Sequence, residues 1–300
     1  MKSLAYKKKN ERQAYMIILP AIIGFFVFSI YPIIWVFRYS FFDYDGINAT
    51  FCGLENFVRA FTRDAIFWKS VVNTFILAYG KLIVEIPLAL IIALMISSSL
   101  VKFKKIFNIA FYLPRVTGSA VNCLIFTFLF ATVNGKINNL LLDMNLISHP
   151  VSWLGGKWSA MFVLSLFGLW SGLSYNVLYF MAGVQNIPED VLEAARVDGA
   201  TRLQSFFKIT LPMLAPVVKV ILMLAMVNGM KIMDQVMLIT NGGPAGETNV
   251  AMLHIYNLYF TSSQTPQYGY AACLGVVMTV IIGIITCIYL KLSKKADMVI

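Results

Sequence analysis

Apolar residues along this chain gather into six long runs separated by shorter polar stretches. The first, Tyr15 to Phe37, carries no charge. At about 1.5 Å per helical residue it is longer than the roughly 30 Å hydrocarbon core of a bilayer. The others lie at about 71–101, 106–133, 159–184, 213–240 and 271–290. The pattern predicts an all-α integral membrane protein with six transmembrane helices: a spanning domain over 15–290, flanked by tails at 1–14 and 291–300. No small-x-small site follows the first run, so it reads as a span rather than a cleaved signal. Residues 38–70 and 134–157 are expected to be loops on one face, the former with short interfacial helices around Leu54 to Phe61. Asn241-Gly242-Gly243-Pro244 supplies turn chemistry that ends the fifth run and opens a third loop on that face.

Composition supports the same class. Hydrophobic residues make up 59% of the chain, charged residues 13%, and the mean hydropathy is +0.76, all far from a soluble protein. The net charge of +10 would suit nucleic acid on a soluble domain. Here the basic residues sit at the ends of apolar spans, so no nucleic-acid partner is implied. Lys7, Lys8, Lys9 and Arg12 precede the first span; Lys102, Lys104 and Lys105 separate the second and third; Lys291, Lys294 and Lys295 follow the sixth. With six spans, one face collects fourteen Lys and Arg against six on the other, four lying inside spans. By the positive-inside rule the richer face, with both termini, is cytoplasmic. Cys52, Cys123, Cys273 and Cys287 form no C-x-x-C pattern, and His149 and His254 belong to no hydrolase motif. Neither a metal site nor catalytic chemistry is predicted. Gly156-Lys157 lacks the first glycine and the Ser/Thr of a phosphate loop, so the chain is not expected to bind ATP itself.

One polar segment stands apart, Gln185 to Pro212, on the predicted cytoplasmic face. Pro188 suits the first turn of a helix, and Glu189 and Asp190 place negative charge at its positive end. Asp198-Gly199 is the predicted stop, with Gly199 in the left-handed conformation. Thr201 and Gln204 then form a capping box for a second short helix, running to about Thr210 before Leu211-Pro212 begins the next span. Ala194 and Ala195 leave one side of the first helix nearly flat, beside the charge of Glu193. A partner groove could approach there.

An ionisable residue at mid-bilayer costs about 2.5–3.5 kcal/mol, so each should face protein or water. Asn228, Lys231, Asp234 and Gln235 recur at helical spacing in the fifth run and predict a polar stripe. Lys231 and Asp234 either neutralise each other or line a passage. Arg115, Ser119 and Asn122 repeat the spacing just after Pro114. In the fourth run Gly168, Gly172, Tyr175 and Tyr179 share a face; the glycines read as helix packing, the tyrosines as cavity candidates. Lys81 and Glu85, four apart, read as a paired structural charge.

Glu193-Ala194-Ala195, Asp198-Gly199-Ala200, Ile209 and Leu211-Pro212 together resemble the EAA loop of binding-protein-dependent ABC importer permeases. Leu113-Pro114, Trp170 with Gly172, and Asn241 to Pro244 look like landmarks of the maltose-type carbohydrate branch, first permease subunit. The resemblance implies a type I importer architecture with the MetI-like fold. It also implies a second permease subunit, two cytoplasmic ATPase subunits that carry the ATP and magnesium, and an extracytoplasmic binding protein. Those nine loop residues would couple to the ATPases. Arg115, Ser119, Gly172, Tyr175, Asn228, Lys231 and Asp234 fall near the branch's sugar-contacting positions. Arg115 and Lys231 are unusual for a neutral sugar and open the door to an acidic or phosphorylated one. The competing expectation is an ion-coupled secondary transporter using Glu85 or Asp234, for which the docking segment would have no purpose.

Overall fold

The computed structural model of the protein describes residues 15–97, 104–261 and 266–297. The basic N-terminal tail and Lys102 lie outside them. The chain divides into two units: residues up to Asp64 with Ile255–Thr279, and Ala65–His254 with the residues from Val280 onward.

In the first unit, helix α1 (Tyr15–Tyr39) is long and apolar, and the described chain buries none of its most apolar window. Its surface is left for lipid or another protein. Within it, Phe26–Ile30 forms a wider π-turn, in which the Tyr31 N–H reaches back to the Phe26 carbonyl. Pro32 explains the widening, since its ring would otherwise collide with the carbonyl of Phe28. The expected irregular loop after α1 instead contains a hairpin, β1 (Phe42–Tyr44) paired antiparallel with β2 (Ala49–Phe51). Asp45 accepts from the backbone N–H groups of Ile47 and Asn48 at its tip, a local turn bond that competes well with helix. Helix α2 (Glu55–Thr62) follows, where a short helix was predicted. Asn56 ties it to the hairpin by donating to the carbonyls of Ser40 and Phe42, at 3.1 and 2.9 Å.

The second unit holds α3 (Ala65–Ser97), α4 (Lys104–Val116), α5 (Ser119–Leu129), α6 (Lys136–Asp143), α7 (Lys157–Gln185), α8 (Glu189–Val197), α9 (Arg202–Met230) and α10 (Asp234–Ile239). Two further helices, α11 (Ala251–Phe260) and α12 (Tyr268–Asp297), complete the chain. Helices α6 and α11 occupy stretches that the hydropathy pattern leaves as loops. The apolar core joins α3, α7 and α9 through Ala89, Ala93, Ile96, Val177, Phe180, Met181 and Ile221. Alanines on α3 let these helices approach closely without small polar residues at that seam.

The six expected spans differ in continuity. Among the described residues five helices are single candidate spans, and the third run becomes a sixth only as α4 and α5 together, bent by 102°. The break falls at Thr117-Gly118 and is bracketed by Asn122, buried, whose amide donates to the carbonyls of Pro114 (2.7 Å) and Thr117 (3.2 Å) while its oxygen accepts from the Thr117 hydroxyl (2.8 Å). Asn122 therefore holds a corner; it does not continue a stripe from Arg115. The fifth run, expected to be one helix over 213–240, ends at Met230 and resumes at Asp234. An α-helical stretch does begin at Leu211, with Pro212 in its first turn, but no break separates it from the short helix before it, and α9 is continuous from Arg202. A second π-turn, Phe206–Thr210, absorbs Pro212 at the same offset as the one before Pro32, the Leu211 N–H reaching Phe206 O.

Candidate functional site

A polar cavity of about 420 Å³ opens among α3, α4, α7, α9 and α10, lined by Lys81, Glu85, Arg115, Gly168, Ser171, Gly172, Tyr175, Asn176, Tyr179, Asn228 and Gln235. An adjoining hollow of about 300 Å³ shares Ser171, Tyr175, Asn228 and Gln235 and adds Ser119, Lys231 and Asp234. Both volumes lie within or beside the roughly 300–1,000 Å³ of small-molecule sites. All seven positions singled out in the sequence thus border one or other of these two adjoining hollows, although two of the helices expected to present them are broken.

The breaks themselves shape the cleft. Lys231 caps α9, its N–H bonded to Asn228 O at 3.2 Å, and Asp234 opens α10. Between them lies a non-helical link, so the two side chains are not stacked on one face. No ion pair joins them among the described residues. On α4 the exposed Arg115 places its guanidinium over the Tyr175 ring, 4.4 Å from the centroid, a cation–π contact.

Lys81 and Glu85 do pair. Lys81 Nζ stands 3.4 Å from Glu85 Oε2, with Glu85 only 2% exposed, and Asn176 donates to Glu85 Oε1 at 2.6 Å. Gly168 and Gly172 explain how α7 comes so near. A Cβ on Gly172 would sit 2.0 Å from Glu85 Oε1, and one on Gly168 3.2 Å from Lys81 Cδ. The G-x-x-x-G therefore packs helices, as expected, but what it admits is an ion pair. Asn176 and Ser171 were not foreseen. Asn176 gains its meaning only from Glu85 on α3, and Ser171 only from the two hollows it lines.

At one end of the second unit Glu247 binds Lys69 of α3 and, at 3.4 Å, Lys157 of α7. Hydrogen bonding to Lys69 and the charge of both lysines hold the Glu247 carboxyl below the usual carboxylate range. Asn73 donates to the carbonyls of Glu247 and Asn249, at 2.8 and 2.9 Å, and Thr74 accepts from Ala251 N–H at 3.0 Å. The loop after α10 is thereby fastened to the start of α3.

At the docking segment α8 stops with two bonds, Gly199 N–H to Arg196 O at 3.1 Å and Ala200 N–H to Ala195 O at 2.9 Å. Gly199 has φ +78°, which glycine takes without strain. The capping box closes with Gln204 N–H to Thr201 Oγ1 at 3.3 Å and Thr201 N–H to Gln204 Oε1 at 2.8 Å. Glu193, Ala194 and Asp198 are exposed. Ala195 is not: at 7% exposure it is buried by the chain itself, so the flat patch open to a partner is Ala194 with Glu193. Ile209, Leu211 and Pro212 are half-buried within α9 and its π-turn. Among the described residues no three His, Cys, Asp or Glu side chains gather as a metal site would require.

A bundle of long apolar helices enclosing a polar cleft, with a capped polar hairpin of helices between two of its spans, defines a membrane permease. The family described as binding-protein-dependent transport system inner membrane component matches residues 85–297, and the chain belongs to it. The chain is 32% identical over 292 residues to the arabinooligosaccharides transport system permease AraP of Bacillus subtilis, covering 97% of this chain and 91% of that protein. It is 29% identical over 282 residues to the lactose transport system permease LacF of Rhizobium radiobacter, covering 93% of each. Its fold matches a chain of a bacterial ABC transporter involved in alginate import, with a TM-score of 0.84 at 23% identity over 98% of this chain and 99% of that one.

Proposed function

We propose that this chain is one half of the membrane pore of an ABC importer for oligosaccharides, itself non-catalytic. A second permease of the same family would complete the pore, two cytoplasmic ATPase subunits would hold ATP and magnesium, and an extracytoplasmic binding protein would deliver the sugar. Both termini and the docking segment would face the cytoplasm, in keeping with the distribution of Lys and Arg. The carbohydrate class is supported by the sugars in the names of the arabinooligosaccharide and lactose relatives. A solved alginate transporter in complex with a pentasaccharide-bound periplasmic protein supports the delivery partner.

The observation that carries this reading is the course of α9. It begins at the capping box of the docking segment and ends at Asn228 in the cleft, so the surface offered to an ATPase and the surface offered to a solute are two ends of one helix. Binding and hydrolysis outside the membrane could then alternate the access of the cleft. In a proton-coupled carrier Glu85 would have to give up Lys81 and Asn176, Asp234 would be left as the carrier of the proton, and the capped segment at 189–210 would have no purpose.

Gly199→Pro tests the coupling. Proline cannot adopt φ +78°, removes the N–H that bonds Arg196, and disfavours the helical conformation of Asp198 before it. The variant is expected to insert at normal abundance while oligosaccharide uptake falls at least tenfold. Wild-type uptake at equal abundance would mean that the segment does not couple.

A further inference from the structure

Once the Lys81 and Glu85 charges cancel, the cleft retains Arg115, Lys231 and Asp234. Two cations face one carboxylate, and among the described residues none of the three forms an ion pair. One positive charge is left over in the cleft, where Arg115, Lys231 and Asp234 are all exposed, and a bound anion would offset it. We propose that the solute is an acidic oligosaccharide whose sugar carboxylate is held by Arg115, with Lys231 adding long-range attraction. The proposal rests on the oligosaccharide reading above and narrows its substrate class.

The chemistry of the lining selects a carboxylate over a phosphate. A single carboxylate brings the cleft to neutrality, whereas a phosphate monoester dianion would overshoot beside Asp234. A guanidinium offers paired N–H donors that match a planar carboxylate. Tyr175 holds the guanidinium at its ring, 4.4 Å from the centroid, and both residues line the cleft. Asn228 and Gln235, with both donors and acceptors, suit the hydroxyls of the same sugar. Asp234 repels a second carboxylate nearby, so the fit is to one acidic unit at a time.

The experiment compares uptake of trigalacturonate, its fully methyl-esterified form, a neutral trisaccharide and a phosphorylated disaccharide by cells carrying the whole transporter. Each is supplied at a concentration saturating the binding protein. The acid is expected to enter at least tenfold faster than its ester. Arg115→Met should erase that preference at equal membrane abundance, Arg115→Lys should restore part of it, and Lys231→Met should weaken it less. Equal entry of acid and ester, preference for the phosphorylated sugar, or an unchanged preference in Arg115→Met would overturn the proposal. Entry of the neutral sugar without the acid would do so while leaving the oligosaccharide reading intact; entry of none would remove both. The acid-to-ester ratio of the wild type needs no variant and stands even if Arg115→Met does not assemble.

Discussion

The second unit contains two charge clusters made from the same residue types in opposite settings. Lys81 and Glu85 meet inside the bundle, with Glu85 2% exposed and a hydrogen bond to it from Asn176. Glu247 meets Lys69 and Lys157 at the end of the bundle, where its side chain is 36% exposed. Water screens the outer cluster and replaces any partner that is lost. The inner pair has no such substitute. What decides its worth is how the charge would be left if its partner were gone.

The sharpest way to break the comparison is to remove one partner in each cluster. Glu85→Ala leaves Lys81, 14% exposed at the wall of the cleft, without its counter-charge and is expected to destabilise the protein by about 3–5 kcal/mol, the usual cost of breaking a buried pair. Thermal unfolding of the detergent-solubilised protein would show it. The double change Lys81→Met with Glu85→Leu removes both charges and should recover most of the loss. If Glu85→Ala alone unfolds at the wild-type temperature, the pair is not buried as described.

A smaller effect is expected from Gly172→Ala. Its Cβ would land on Glu85 Oε1 and push the carboxyl away from Asn176, an overpacking cost of about 1–3 kcal/mol. Gly168→Ala, meeting the flexible Lys81 side chain at 3.2 Å and the Gln235 amide at an ordinary 3.5 Å, should cost less. Equal unfolding temperatures for the two variants would mean that α7 can back away from α3.

Glu247→Gln should have the smallest effect, and one that depends on conditions. Because its lysine neighbours lower its pKa, the Glu247 carboxylate stabilises the fold fully above the usual carboxylate range. That contribution disappears as pH falls through the lowered value. The variant should unfold slightly earlier than wild type at neutral pH and together with it in acid. The difference should also vanish near 1 M salt, where the Debye length is about 3 Å. A difference that persists in acid would point to lost packing rather than charge.

The two functional segments differed in how far the sequence exposed them. The docking segment is built from contacts three to five residues apart: the capping box of Thr201 and Gln204, and the turn at Gly199. Such local chemistry is written in adjacent letters, and its helix, turn and cap were all legible. Two of its features were not: the burial of Ala195 depended on what the rest of the chain lays over it, and the unbroken passage into α9 at Leu211-Pro212 on the π-turn before it. The cleft is built from residues far apart. Lys81 and Glu85 could be paired from their spacing, but not placed beside Gly168, Gly172 and Asn176. The polar stripe at Asn228, Lys231 and Asp234 assumed a continuous helix. Ile232, Met233 and Val236 sustain hydropathy across the gap, so nothing in the apolar pattern marks where α9 ends. The bend between α4 and α5 had a clearer signal in Pro114 and Gly118. Its corner, however, is fixed by Asn122, whose spacing from Arg115 suggested another role.

The π-turn at Phe206–Thr210 has a consequence for helical phase. An α-helix advances about 100° per residue, and a π-turn accommodates one residue more than the α-helical winding around it would hold. That single residue sets the angle at which Asn228 leaves the helix relative to Thr201 and Gln204, which lie on the other side of the turn. Were the turn to tighten into ordinary α-helix, the far end of α9 would rotate by about a quarter of a circle against its near end, carrying Asn228 out of the cleft while the capping box stayed in place. Pro212 prevents that tightening. The registration between the two ends is therefore maintained by a proline that, in the linear sequence, looks only like the beginning of a span.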